Sequence, residues 1–208
     1  MTRMRIKFCG ITRQGDAQVA ADLGVDALGF VFTRGSRRFV EPDSARAIIR
    51  ALPAFITAVA LFMDDEPAWV REVTSIVNPS LLQFHGEEAV ADCAGYGKPF
   101  IKAVPMASVA DVASYAASYP GASGFLLDAH RSGEPGGQGL RFDWSRRPLL
   151  EQPLILAGGL DAANVAAAIR QMRPYAVDVS SGIESAPGIK DAERMRAFVA
   201  AVRAVETD

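Results

Sequence analysis

Eight short apolar runs alternate with helix-like stretches along the whole chain, and this alternation limits the fold more than any other feature. The runs are Ile6–Cys9, Ala27–Phe32, Ile56–Phe62, Leu81–Phe84, Phe100–Val104, Gly124–Asp128, Leu154–Ala157 and Ala176–Val179. Helical patterns lie between them at Asp16–Leu23, Pro42–Leu52, Glu66–Ile76, Ala89–Gly95, Ala110–Tyr119, Ala162–Met172 and Asp191–Val205. A short helix after Trp144 is expected to fill the sixth gap. Pro42 and Pro67 mark first turns, Asp161 is placed as an N-cap, and Gly24 and Pro174 follow helices as stop signals. Strict β–α alternation predicts parallel strands with helical crossovers.

Eight such units can close into a (βα)8 barrel or form an open doubly wound sheet. No GxGxxG follows the first run, which argues against a dinucleotide-binding sheet. No linker-like boundary interrupts the chain. With 208 residues, each unit averages about 26 residues, which suits a small single-domain (βα)8 TIM barrel spanning 1–208.

Half the residues are hydrophobic, enough for one sizeable core, and the net charge of −2 carries no basic surplus for nucleic acid. No apolar stretch approaches the roughly 18 residues of a membrane span. The segment Met1 to Gly10 is too polar and too short for a signal peptide. Two cysteines, Cys9 and Cys93, make no disulfide framework. These features point to a cytoplasmic protein that binds neither nucleic acid nor membrane.

In a barrel of this kind the chemistry gathers at the carboxyl ends of the strands. Cys9 ends the first run and Asp128 the sixth. A thiol near a positive potential gains thiolate character, and an enclosed carboxyl can be raised in pKa to act as an acid, so the two form a candidate base and acid. The plain alternatives are a small buried hydrophobe for Cys9 and an N-cap for Asp128. Cys93, inside a helix pattern, takes the buried reading. Gly158 and Gly159 follow the seventh run, and Ser180, Ser181 and Gly182 the eighth. These are the two loops where barrels commonly bind phosphate. Arg38, in Ser36-Arg37-Arg38, is placed to clamp a carboxylate. The glycine-rich segment Ala129–Phe142 follows Asp128 directly and is read as a functional loop.

Strand parity adds a further expectation. If Cys9 points into the barrel mouth, Lys7 points inward beneath it, and the same parity joins Gln83 with His85 and Asp178 with Ser180. Buried charges need partners. Lys7 or Lys102 is therefore expected to pair with an inward carboxylate, Asp178 first. His85 is left as either a structural residue of the mouth or a substrate contact.

The motifs together resemble the phosphoribosylanthranilate isomerase family over essentially the whole chain. They are Lys7-Phe8-Cys9-Gly10-Ile11-Thr12, Gly29-Phe30-Val31-Phe32, Ser36-Arg37-Arg38-Phe39, Leu82-Gln83-Phe84-His85-Gly86, Leu126-Leu127-Asp128, Gly136-Gly137-Gln138-Gly139, Phe142-Asp143-Trp144, Ala157-Gly158-Gly159-Leu160 and Val177-Asp178-Val179-Ser180-Ser181-Gly182-Ile183-Glu184. The resemblance implies a barrel that performs an Amadori rearrangement in tryptophan biosynthesis on a small phosphosugar, as a monomer or homodimer. It implies no metal and no organic cofactor. By the same resemblance Asp128 is the general acid, Cys9 the general base and Arg38 the anthranilate carboxylate ligand. His85 and Asp178 line the substrate, and Gly158, Gly159, Ser180, Ser181 and Gly182 hold the phosphate. Two departures stand out: Gly-Gly-Gln-Gly-Leu-Arg where a threonine and then a basic residue are more usual, and Phe84 where an aliphatic is typical. A related histidine-pathway isomerase is expected to carry aspartate where this chain has Cys9. A non-catalytic phospholigand barrel would tolerate the loss of Cys9 or Asp128, and both are present.

Overall fold

Pairing between the first strand and the last closes the sheet. The computed structural model describes residues 3–134, 136, 137 and 139–206. Its strands are β1 (Arg5–Cys9), β2 (Ala27–Val31), β3 (Thr57–Phe62), β4 (Leu81–Phe84), β5 (Phe100–Pro105), β6 (Phe125–Asp128), β7 (Leu154–Leu156) and β8 (Ala176–Val179), and they form a closed barrel in sequence order. Every neighbouring pair is parallel, including β1 with β8, where Lys7 stands opposite Asp178. The crossovers carry α1 (Gln14–Asp22), α2 (Pro42–Arg50), α3 (Pro67–Val77), α4 (Val90–Ala94), α5 (Val112–Ala117) and α6 (Val165–Met172). The chain then runs into α7 (Ala192–Glu206). Among the described residues no helix is long and apolar enough to cross a membrane.

The alternation is thus a (βα)8 barrel, and strand ends lie within a residue or so of the apolar runs. Two features differ from expectation. No helix forms after Trp144 among the described residues: Asp143 Oδ1 accepts from Ser145 N at 2.9 Å in a short turn, and Pro148, which lacks an N–H, blocks a helical continuation. A short hairpin, β9 (Glu184–Ala186) with β10 (Ile189–Lys190), comes after β8 and was not expected. Strands of three and two residues show no periodicity; the Pro187-Gly188 turn is their one legible signal.

The two faces of each strand hold different cores. The main apolar core lies between barrel and helices, built on residues such as Phe8, Leu28, Phe62, Leu82, Phe125 and Phe198. Phe84 belongs to this outer layer. Its ring lies 6.2 Å from that of Phe62 and 5.9 Å from that of Phe100, so the larger side chain extends an aromatic run instead of crowding the lumen. Inside the barrel, Cys9, Val31 and Leu61 form one small cluster and Ala103, Leu126 and Ala157 another. Small residues on that side leave the mouth open.

The expected partner of Asp178 is Lys7, not Lys102. Lys102 sits on the outer face of β5 and is fully buried. Its ammonium donates to Glu88 Oε2 at 3.0 Å and to the Gly86 carbonyl. Glu88 Oε1 accepts from Asp64 N at 3.1 Å and from Gly86 N at 3.0 Å. This ion pair pins the loop that begins with His85. Removing one partner of a buried pair leaves the other uncompensated, at about 3–5 kcal/mol. Lys102→Met is therefore expected to lower unfolding stability by about that amount in urea titrations. Lys102→Met combined with Glu88→Gln should recover a large part of the loss, and equal stability in single variant and wild type would contradict the pairing.

Candidate active site

Parallel closure brings all the strand carboxyl ends to one rim, and one cavity opens there. Cys9, Arg38, His85, Asp128, Gly158 and Ser180 line it, from six different βα units. Ser181 and Asp178 also reach it, as does Gly159. Gly182 does not; it packs against the Leu160 carbonyl behind the cavity wall. Arg37 points to solvent while its neighbour Arg38 turns inward. Cys93 is buried in α4 and its thiol is pushed up to about 12 by burial, so it stays inert.

Cys9 rests on a cationic floor. Lys7 Nζ donates to Asp178 Oδ1 at 2.9 Å, as the β1–β8 register demands, and the same ammonium lies beside the Cys9 thiol. Burial would lower the Lys7 ammonium, but Asp178 and then Cys9 raise it above its ordinary value, so it stays charged. Lys190, on β10, donates to the Cys9 carbonyl at 2.6 Å and to Glu184 Oε1 at 2.8 Å. The expectation of an enriched thiolate is corrected in the ligand-free site. Burial pushes the Cys9 thiol up, Asp178 adds to this, and the opposing pull of Lys7 and Lys190 does not overcome it. Cys9 rests as a thiol with two cations close by.

Asp128 is corrected in the opposite sense. Burial would raise its carboxyl, yet the group is held well below the usual carboxylate range by His130 and His85. Its Oδ2 lies 3.5 Å from His85 Nε2 and 3.9 Å from His130 Nδ1. Both separations are longer than an ordinary hydrogen bond. The expected raised acid is therefore a carboxylate between two imidazoles. His130 was not among the residues that the motifs single out, although it stands two residues beyond Asp128 with the parity of an inward side chain.

Arg38 is fixed before any ligand arrives. Its Nε donates to Glu184 Oε1 at 2.9 Å and its Nη2 to Glu184 Oε2 at 2.8 Å, a bidentate fork. Glu184, also held by Lys190, is lowered: burial opposes this, and Arg38 and Lys190 outweigh it. The remaining Nη1 approaches Gly137 in the glycine-rich loop. Glu184 and Lys190 are thus part of the site, and the signal for them was weak. Glu184 closes a recognised motif without a role of its own, and Lys190 stands in a hairpin that was not foreseen.

At the other side of the cavity the chain turns sharply after β7. Gly158 and Gly159 have φ of +83° and +61°, the left-handed region that favours glycine. A side chain at Gly158 would press on Ala129 N, 2.8 Å from its Cβ. The Ser180 hydroxyl donates to the Cys9 carbonyl at 3.0 Å, which ties the loop after β8 to the end of β1. Gln138, quoted in the glycine-rich motif, lies outside the described residues. The arrangement offers a guanidinium at one side, glycine and serine backbone at the other, and a thiol and a carboxylate between them.

Residues 6–201 match the family model for N-(5'phosphoribosyl)anthranilate (PRA) isomerase. A protein from Pseudomonas aeruginosa (strain UCBPP-PA14), named N-(5'-phosphoribosyl)anthranilate isomerase, is 51% identical over 209 residues, covering 100% of this chain and 99% of that protein. The crystal structure of phosphoribosyl anthranilate isomerase from Thermus thermophilus superposes with a TM-score of 0.86 at 41% identity, covering 97% of this chain and 100% of that one. A further crystal structure of the enzyme holds reduced 1-(o-carboxyphenylamino)-1-deoxyribulose 5-phosphate; it has a TM-score of 0.80 and 36% identity, over 97% of this chain and 99% of that one. With one fold, one rim and a family match along nearly its whole length, the chain belongs to the N-(5'-phosphoribosyl)anthranilate isomerase family.

Proposed function

We propose that the chain converts N-(5-phosphoribosyl)anthranilate to 1-(2-carboxyphenylamino)-1-deoxyribulose 5-phosphate in tryptophan biosynthesis, with Asp128 as general acid and Cys9 as general base. The observation that carries this reading is one cavity lined by both residues, with Arg38 and the loops after β7 and β8 around it. A substrate with a carboxylate at one end and a phosphate at the other matches those two cationic and N–H-rich regions. The bound product analogue of the related structure has the same two groups.

In the first step Asp128 gives a proton to the furanose ring oxygen. The bond from that oxygen to C1 breaks, its electron pair stays on oxygen, and a positively charged Schiff base remains. Cys9, once its thiol has released its own proton to solvent, takes the proton from C2 as a thiolate, and the C–H electron pair moves into the iminium to give an enolamine. The enolamine becomes the ketone by moving a proton from its hydroxyl to C1. The iminium adds a positive charge to those of Lys7 and Lys190 beside the thiol. That added charge favours ionisation of a thiol raised by burial, so the thiolate forms when the carbon proton is most acidic. Lys7, paired with Asp178, keeps a fixed positive charge under the nascent thiolate.

Arg38 is the carboxylate ligand. Its fork to Glu184 removes rotamer freedom in advance, so less is lost when the anthranilate group binds. Gly158, Gly159, Ser180 and Ser181 form the phosphate cradle, with Gly182 supporting it from behind. Asp178 and His85 line the substrate. The protein acts in the cytoplasm, as a monomer or a homodimer.

Cys9→Ser and Asp128→Asn are each expected to lower kcat by roughly 100- to 10,000-fold, while a reduced product analogue binds with nearly unchanged affinity. Near-normal turnover in both variants would sink the acid–base assignment. Arg38→Lys keeps the charge and loses the fork. It should raise KM roughly tenfold or more with a smaller change in kcat, measured by steady-state kinetics; an unchanged KM would place the carboxylate elsewhere.

A further inference from the structure

His130 is buried beneath the glycine-rich loop and does not line the cavity, yet it faces the same oxygen of Asp128 as His85 does. The two imidazole rings are stacked, with centroids 4.4 Å apart and planes within 27° of parallel. Among the described residues, His85 Nε2 and His130 Nδ1 are buried and have no hydrogen-bond partner. The other nitrogen of His85 is engaged: Gln83 Nε2 lies 3.2 Å from its Nδ1. In that orientation the amide donates to Nδ1, so a neutral His85 carries its proton on Nε2, facing the carboxylate. Gly136 roofs the group, since a Cβ there would collide with His85 Nε2 and lie 2.8 Å from Asp128 Oδ2.

His85, Asp128 and His130 also lie close enough together to suggest a metal site. The ring planes argue otherwise. A metal must lie in the plane of each imidazole that binds it, at about 2.0–2.1 Å from nitrogen. Two planes only 27° from parallel, with centroids 4.4 Å apart, meet well beyond that distance. The arrangement suits a proton, which can pass between stacked rings and a shared oxygen.

We infer that His130, together with His85, is the proton reservoir for Asp128, so that the acid of the site is the three-residue cluster and not the carboxyl group alone. This rests on the isomerase reading for its catalytic consequence. A carboxylate held low between two imidazoles has no proton of its own to give at neutral pH. The cluster has room for at most one excess proton, because two stacked imidazolium ions with centroids 4.4 Å apart would repel each other. An imidazolium N–H bond breaks as an O–H bond forms on Asp128 Oδ2. That O–H then breaks as the ring oxygen is protonated and its bond to C1 opens. The histidine is left neutral and is reloaded from solvent after turnover. His130 acts through Asp128 and is a positioning residue; Asp128 meets the substrate.

Other titratable groups share the cavity or stand behind it. Arg38, Cys9 and Asp178 line the same cavity as His85 and Asp128. Asp64 stands behind the loop that carries His85, as do Glu88 and Lys102 in their ion pair. Among the described residues, the two histidines are the only basic side chains within 4 Å of the Asp128 carboxylate.

The chain has two histidines, so its imidazole signals in a proton–carbon NMR titration belong to His85 and His130 alone. The two signals are expected to follow linked curves in the ligand-free protein, and His130→Phe, which keeps a stacked ring and removes the nitrogen, should leave His85 titrating in a single step. In kinetics, His130→Phe and His130→Gln should each lower kcat at pH 8 by roughly 10- to 100-fold with KM nearly unchanged. The limb of the pH profile that reports loss of the cluster proton should move to lower pH, because one ring holds that proton instead of two. Independent NMR curves, or a wild-type kcat and pH profile in His130→Phe, would overturn the inference. Linked curves in a protein without isomerase turnover would remove the functional reading while supporting the shared proton.

Discussion

The seam between β1 and β8 carries the rest of the molecule. Parallel strands cannot be left as an open edge without a row of unpaired backbone groups, and joining the first strand to the last removes that edge. At this seam Lys7 stands opposite Asp178, and their side chains meet inside the barrel. A buried ion pair is a weak source of stability and a strong source of register. A slip of one residue in β1 would turn Lys7 out of the lumen, leave Asp178 without its partner and move Cys9 away from the mouth. The pair therefore fixes which face of β1 turns Cys9 toward the cavity. Lys190 and Ser180 add to the same end by holding the Cys9 carbonyl.

From that seam the site divides into a cationic half and an imidazole half. Lys7, Lys190 and Arg38 gather near the thiol, balanced by Asp178 and Glu184. His85 and His130 gather round Asp128. Each half moves its key group away from simple expectation: the thiol rests protonated and the carboxyl rests ionised. On the proposed acid–base reading, each group thus rests in the protonation state opposite to the one it acts from, and the iminium and the neighbouring imidazoles supply the charge that restores it. Outside the barrel, the Lys102–Glu88 pair performs a quieter task, locking the loop from which His85 projects.

Much of this was open to reading from residues. Short apolar runs and their spacing define the strands, since a strand that pairs on both sides must bury both faces. Parity placed Lys7 under Cys9 because side chains on a strand alternate between its two faces. Parity did not distinguish Lys7 from Lys102, because neighbouring strands in a sheared barrel are offset, and Lys102 falls on the outer face. The expected helix after Trp144 failed for a local reason, an Asp143 turn and Pro148. The β9–β10 hairpin went unforeseen for the opposite reason, being too short to show any pattern.

The sequence by itself determined the number of units, their order, the rim on which Cys9 and Asp128 sit, and the family to which their surrounding motifs point. These rest on local periodicity and on residue types at strand ends. Only the tertiary structure decided what those residues meet: that Asp128 lies between two stacked histidines, that Arg38 is held by Glu184, and that the cations under Cys9 come from β1 and a late hairpin. Such contacts join residues separated by as many as 181 positions in the chain. Their protonation states depend on burial and on charges brought close by closure, and neither exists until the barrel is shut.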